Sequence, residues 1–146
     1  MWQVAKRLPE FVILPSGGRG VGLPHPTKLN GDFAVGEDGA LAWSDGDGVV
    51  QLCRPGNPPE TIVPPTDWTR SARVALSPSG QLMAMHTGGD EVVVLQVAGH
   101  KEVQRWKLPG GGGFGWEERQ GGLVFVSPTT IAVAHGRSGM LRKLEL

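Results

Sequence analysis

The sequence has a single cysteine, Cys53. One thiol cannot build an intrachain disulfide framework or a Cys-rich zinc or iron–sulfur site. Charge of one sign is missing as well: 14 Lys and Arg balance 14 Asp and Glu, so the formal net charge is zero. A chain that tracks a nucleic-acid backbone carries a clear basic surplus, which sets that class of partner aside. Long apolar runs are absent near the N-terminus. Lys6 and Arg7 are followed only by Phe11-Val12-Ile13-Leu14, too short for a signal-peptide core and far too short to span a bilayer. The expected location is therefore the cytoplasm, with the nucleus as the other option. Helical periodicity is missing too: Val4–Leu8 has no continuing partners, and the tail Leu141–Leu146 alternates like a strand.

Glycine is abundant, at 23 residues, and proline adds 12. Helices tolerate both poorly, whereas chains with many tight turns use both. The apolar set makes up 39% of the 146 residues, enough to enclose one core and to exclude wholesale disorder. The charges are unevenly spread. Residues 31–67 hold seven acids against Arg54, and residues from 68 onward hold nine bases and six acids. Scattered turn charges account for this as well as a steering field does.

The dominant feature is self-similarity. Three segments repeat one pattern: FAVGEDGALAWSDGDGVVQLC from Phe33, VALSPSGQLMAMHTGGDEVVVLQV from Val74, and VFVSPTTIAVAHGRSGMLRKLEL from Val124. Each reads as an alternating strand, a turn, a second apolar strand, a Gly-containing turn and a third strand. Aligned without gaps, they place Leu41, Leu82 and Ile131 at one position and Asp45, His86 and His135 at another. The spacing from Leu41 to Leu82 is 41 residues and from Leu82 to Ile131 it is 49, the range of propellers and other repeat folds. A fourth strand follows in the middle unit, Lys101–Leu108. ETIVPP at 60–65 is its weak counterpart in the first unit, stopped by two prolines that cannot donate to a ladder. Residues 1–30 read as a strand and loop segment, with one strand at Phe11–Leu14 and loop from Pro15 to Pro26.

Four short antiparallel strands per unit, repeated, is the pattern of a propeller blade. No unit can bury both faces of its own sheet, so neighbours must stack. The expected fold is all-β, a partial β-propeller of about three four-stranded antiparallel blades at 31–67, 68–108 and 119–146, with a Gly-rich loop at 109–118. A small closed barrel is the fold alternative.

The stretch RVALSPSGQLMAMHTGGDEVVVLQV, followed by VQRWKL, resembles a WD40 repeat. Ser77-Pro78-Ser79-Gly80 takes the place of that family's SPDG-like turn, Asp90 that of its turn aspartate, and Trp106 that of its closing tryptophan. Lys107 replaces the aspartate that usually follows, and Gly99-His100 precedes the fourth strand instead of the first. The family's structural His–Asp network is therefore absent. The resemblance covers roughly residues 31–146 and implies a rigid scaffold for protein partners. A closed propeller needs about four to eight blades, so the chain reads as a fragment, a truncated isoform, or a part completed by another chain. Three stacked blades would leave an apolar flank exposed at one end.

Candidate sites reduce mostly to turns. Gly88-Gly89-Asp90-Glu91 resembles the signature loop of diguanylate cyclases, but Val92 replaces the usual phenylalanine and no helices flank it, so a strand-joining turn is the better reading. Asp45-Gly46-Asp47-Gly48 is similar to the start of a calcium loop but lacks the later acidic ligand. The Gly110–Gly113 run has no Lys-Ser/Thr after it and is followed by Glu117 and Glu118, which would repel a phosphate. His25, His86, His100 and His135 form no pair at ligand spacing. Ser77 and Ser127 lie in no nucleophile elbow, and Cys53 has no activating base. Trp43 belongs to an apolar strand set and is expected in the core. The expected roles are therefore no catalytic, cofactor-binding or metal site. Trp68, Arg70 and Arg73, together with Phe114 and Trp116, are the candidate partner-binding residues, because aromatics and arginines dominate binding hot spots. The resulting expectation is a non-catalytic protein–protein interaction or assembly scaffold, with a partner that supplies the remaining blades as one option. The alternative is a non-catalytic subunit or fragment of a propeller-containing enzyme such as a hydrolase.

Overall fold

A computed structural model describes residues 3–4, 10–14, 21–24, 33–45, 47–64, 72–87, 91–108, 122–135 and 140–146. Among them, strands form four antiparallel sheets in which each strand pairs with its neighbours in sequence. The N-terminal sheet holds β1 (Gln3–Val4), β2 (Glu10–Leu14) and β3 (Val21–Pro24). The first blade holds β4 (Phe33–Val35), β5 (Leu41–Ser44), β6 (Val50–Cys53) and β7 (Glu60–Val63). The second holds β8 (Arg73–Leu76), β9 (Leu82–His86), β10 (Glu91–Gln96) and β11 (Glu102–Lys107). The third holds β12 (Leu123–Ser127), β13 (Thr130–His135) and β14 (Met140–Glu145).

Two sequence expectations are corrected. The span Pro15–Pro26 is not all loop, because β3 lies in it, with Leu23 opposite Phe11 and Val21 opposite Ile13. Its alternation is only Val21-Gly22-Leu23 long, so punctuation by Gly and Pro hides it. Pro24 is tolerated because it ends an edge strand. The second correction concerns the repeat register. The first blade's turn closes with Gly36 N–H donating to the Ala40 carbonyl, and the second blade's closes with Ser77 N–H donating to the Leu82 carbonyl. The second turn is thus one residue longer. Leu41 lies opposite Val35, Met83 opposite Leu76, and Ile131 opposite Phe125. The equivalent residues are therefore Leu41, Met83 and Ile131, and then Asp45, Thr87 and His135. Leu82 and His86 are each one place out, and the third unit begins at Leu123.

The turns follow their chemistry. In the first, the Asp38 carboxylate accepts from the Ala40 N–H at 3.1 Å and Gly39 adopts φ 80°. In the second, the Ser77 hydroxyl accepts from the Leu82 N–H at 3.0 Å and Gly80 adopts φ 68°. Both glycines occupy the left-handed region, where a Cβ is disfavoured. β7 ends at Val63, immediately before Pro64 and Pro65, as the prolines require.

The first strands β4, β8 and β12 pack side by side, and the sheets stack outward from them. Period 2 gives each strand two faces, and both are apolar in the second blade. Val74, Met83, Met85, Val93 and Leu95 meet Ala42, Val50, Leu52 and Ile62 of the first blade. Ala75, Ala84, Val92 and Val94 meet Leu123, Phe125, Ile131 and Val133 of the third. On the first two strands of the first and second blades, size follows a rule. Small residues (Ala34 and Ala42, then Ala75 and Ala84) form a floor, and the larger side chains of the next blade seat on it. This pairing of large on small fills the wedge between sheets at close-packed density. Full burial of each Leu-, Met- or Ile-sized side chain contributes about 1.5–3 kcal/mol.

Candidate interaction surface

Polar groups tie the first and second blades together at both rims. At one rim the Ser44 hydroxyl, fully buried, donates to the Ala72 carbonyl at 2.5 Å. At the other, Arg54 donates to the Asp38 carboxylate at 2.9 Å and to the Gly80 carbonyl at 3.2 Å. Asp38 and Gly80 belong to the two β-turns described above, so one guanidinium clamps both. Beside it, His100 Nε2 lies 2.8 Å from Glu60 Oε1, joining the 3-10 turn Ala98–His100 to the start of β7. Arg54 sits where a rigid, planar fork serves two acceptors at once.

The outer strand β11 is largely exposed. There Arg105 pairs with Glu91 at 2.6 Å and Glu102 at 2.7 Å. Its hydrogen bond to Glu102, more than the Glu91 contact, holds the guanidinium above its ordinary range, and the same bond holds Glu102 below the usual carboxylate range. On β14, the Glu145 carboxyl is likewise lowered, first by Lys143 and then by the Thr130 hydroxyl.

The residues singled out in the sequence fall as follows. Arg73 opens β8, half-buried, opposite His86 and next to Ala72. Trp68, Arg70, Phe114 and Trp116 lie outside the described residues. Trp43 is buried with Leu41 and Cys53. The Cys53 thiol points at the Asn57 carbonyl at 3.4 Å, and burial pushes its pKa up, the reverse of a reactive thiolate. Asp45 accepts from the Asp47 and Val49 N–H groups at 2.9 and 3.0 Å, which organises the turn. Gly88-Gly89-Asp90 lies outside the described residues, while Glu91 is engaged by Arg105. Among the described residues no group of three His, Cys, Asp or Glu is placed to hold a metal ion, and no helix is long and apolar enough to cross a membrane.

One surface was not assigned to any residue in the sequence. The far face of the third blade carries Val124, 52% exposed, and Leu141, 75% exposed, around Ala132 and Ala134. Val126, at the β12 bulge, is exposed beside them. Lys143 and Glu145, paired at 2.9 Å, share this face opposite Ala132 and Thr130, so the apolar patch expected of stacked blades is bounded by an ion pair. The alternation Val124-Phe125-Val126 was its signal: apolar residues occupy both faces of a strand that has a covering sheet on one side. At the opposite end, Phe33 and Val35 of β4 are 54% and 38% exposed.

No protein-family model and no curated protein matches the sequence. Solved structures do match. Hsv2 of Kluyveromyces lactis superposes with a TM-score of 0.64 at 12% identity, over 97% of this chain and 51% of that one. The β-propeller domain of Cps50 (Swd1), described as Myceliophteria thermophila, gives a TM-score of 0.56 at 10% identity over 83% of this chain and 40% of its own. A chain of the mitotic checkpoint complex gives 0.61 at 14% identity, over 77% and 32%. These neighbours are WD40 β-propellers, and this chain has the fold of part of a β-propeller. It spans about a third of the mitotic checkpoint chain and about half of the Hsv2 chain.

Proposed function

We propose that this protein is a non-catalytic interaction and assembly scaffold whose partners are proteins. The observation that carries this reading is how its polar side chains are used. Asp38, Asp45, Ser44, Arg54 and Ser77 are engaged in closing turns and tying blades. That is work for a rigid frame, and a rigid frame presents loops to partners. The propeller fold is compatible with scaffolding and does not by itself assign it.

In this reading the chain divides into the segment 1–30 and blades at 31–67, 68–108 and 119–146. Contact is made by Trp68 and Arg70, by Arg73 at the start of β8, and by Phe114 and Trp116 of the Gly-rich segment 109–118, in the cytoplasm or nucleus. Zero net charge argues for protein over nucleic acid.

The test is affinity capture with the wild-type chain beside Trp68→Ala/Arg70→Ala and Phe114→Ala/Trp116→Ala double variants, each first checked for an unchanged melting temperature. A protein held by wild type, lost by a loop variant, and then shown by calorimetry to bind directly supports the scaffold. Capture that is indifferent to both loops refutes the assignment of the site.

A further inference from the structure

The first and second blades each finish on a fourth strand, β7 paired with β6 and β11 paired with β10. Among the described residues the third blade has none, and β14 pairs with β13 alone. The register shows which groups this leaves open. Leu146 N–H donates to the Thr129 carbonyl at 2.8 Å. By the two-residue alternation of an antiparallel strand, Leu144 and Arg142 also turn their backbone groups toward β13. The N–H and C=O groups of Leu141, Lys143 and Glu145 therefore point to the free edge. The second blade has the same parity. Thr87 is equivalent to His135, so Val92, Val93 and Gln96 stand where Leu141, Arg142 and Glu145 stand. There Gln96 N–H donates outward, to the Lys101 carbonyl at 2.8 Å.

The filled blades show what a fourth strand brings. Trp106 lies opposite Val92, and Val63 lies opposite Val50, the first blade's counterpart of Val92. Val50 and Val92 are fully buried, whereas Leu141 at the same place is 75% exposed. Beside it Arg142 is half-buried and makes no ion pair among the described residues, while Lys143 and Glu145 satisfy each other at 2.9 Å. The position opposite Arg142 thus calls for an acid. This chain's own fourth strands carry Arg105 and Thr61 there, so the fitting strand is a foreign one. We propose that the open edge of β14 takes an extended segment of a protein partner as an antiparallel fourth strand, with a large apolar side chain opposite Leu141 and an acidic one opposite Arg142. Main-chain hydrogen bonds supply the affinity of such strand addition and alternate side chains its specificity. This surface is separate from the loops of the proposed function. Failure at the edge leaves loop-dependent capture standing, and failed capture leaves the edge standing.

The probe is the capped, fluorescently labelled peptide of residues 101–108 carrying Arg105→Glu, titrated with the 146-residue chain and read by anisotropy. Seated as β11 sits on β10, it sets Trp106 on Leu141 and the new acid on Arg142. Saturable binding is expected. The unsubstituted peptide should bind roughly three- to tenfold more weakly, because like charges then lie opposite each other. Arg142→Glu in the chain should reverse that order. Arg142→Gln, which should bring the two peptides level, replaces it where it fails to melt cooperatively. N-methylation at Gln104, whose N–H faces the edge, should weaken binding at least about tenfold. N-methylation at position 105, whose N–H faces away, should change it little. Absence of saturable binding by the Arg105→Glu peptide overturns the proposal. So does equal loss from the two N-methylated peptides, or a peptide preference indifferent to residue 142. A chain that sediments as a dimer dissociated by the peptide would give the edge to a second copy and overturn the assignment to a partner.

Discussion

The second and third blades are built from the same strand code but live in different surroundings. In the second, Val92 and Val94 face one neighbour and Val93 and Leu95 the other, and all four are buried. In the third, Phe125 is buried between Val124 and Val126, which are exposed. The difference teaches that blade sequence alone does not bury a face; only the presence of the next sheet does.

Substitutions sharpen that contrast in order of size. The largest effect is expected at Met83→Ala, which opens a cavity between the first two blades, and at Ile131→Ala between the second and third. Each should cost about 2–5 kcal/mol in denaturant unfolding. Val124→Ala, by contrast, should change unfolding by less than about 0.5 kcal/mol. A comparable loss at Val124 would break the comparison. Next is Ser44→Ala, which leaves the buried Ala72 carbonyl without its donor and should cost about 1–3 kcal/mol. Thermal melts at equal concentration would read it.

Gly80→Ala follows, at roughly 1–2 kcal/mol. Its φ of 68° is strained for alanine, and the added Cβ would lie 3.5 Å from an Asp38 carboxylate oxygen. The smallest effect is Arg105→Met on the exposed strand β11, at about 0–1 kcal/mol and shrinking with salt. Its pH signature is specific. Arg105 lowers the folded-state pKa of Glu102, so that contribution is complete at neutral pH. It is lost as the pH falls through the folded-state value. The melting-temperature gap between wild type and variant should therefore close as the pH drops below about 4. A gap that widens in acid would refute the assignment.

Much of this was legible beforehand. The alternation in Phe33–Val35, Val74–Leu76 and Glu91–Gln96, punctuated by Gly39, Gly80 and the prolines after Val63, specified strands, turns and a stacked all-β architecture. Burial of Trp43 and the apolar flank of the third blade followed from the same alternation. The register of the repeat was not legible, because one extra residue in the Ser77–Gln81 turn is invisible to a gapless alignment, and a one-residue slip exchanges the two faces of a strand. Strand β3 was hidden because three residues of alternation between Gly and Pro carry too weak a pattern.

By itself, the sequence determined the local menu: which residues extend, where the chain turns, and that the inner strands of the second blade carry apolar side chains on both sides. Those are properties of neighbours in the chain, set by sterics and by period 2. The tertiary structure decided which small face receives which large one, and that Arg54 would clamp turns from two blades. It also decided that Val124 would be left exposed. Such contacts join residues dozens of positions apart, and their energy depends on surfaces that exist only once the sheets have stacked.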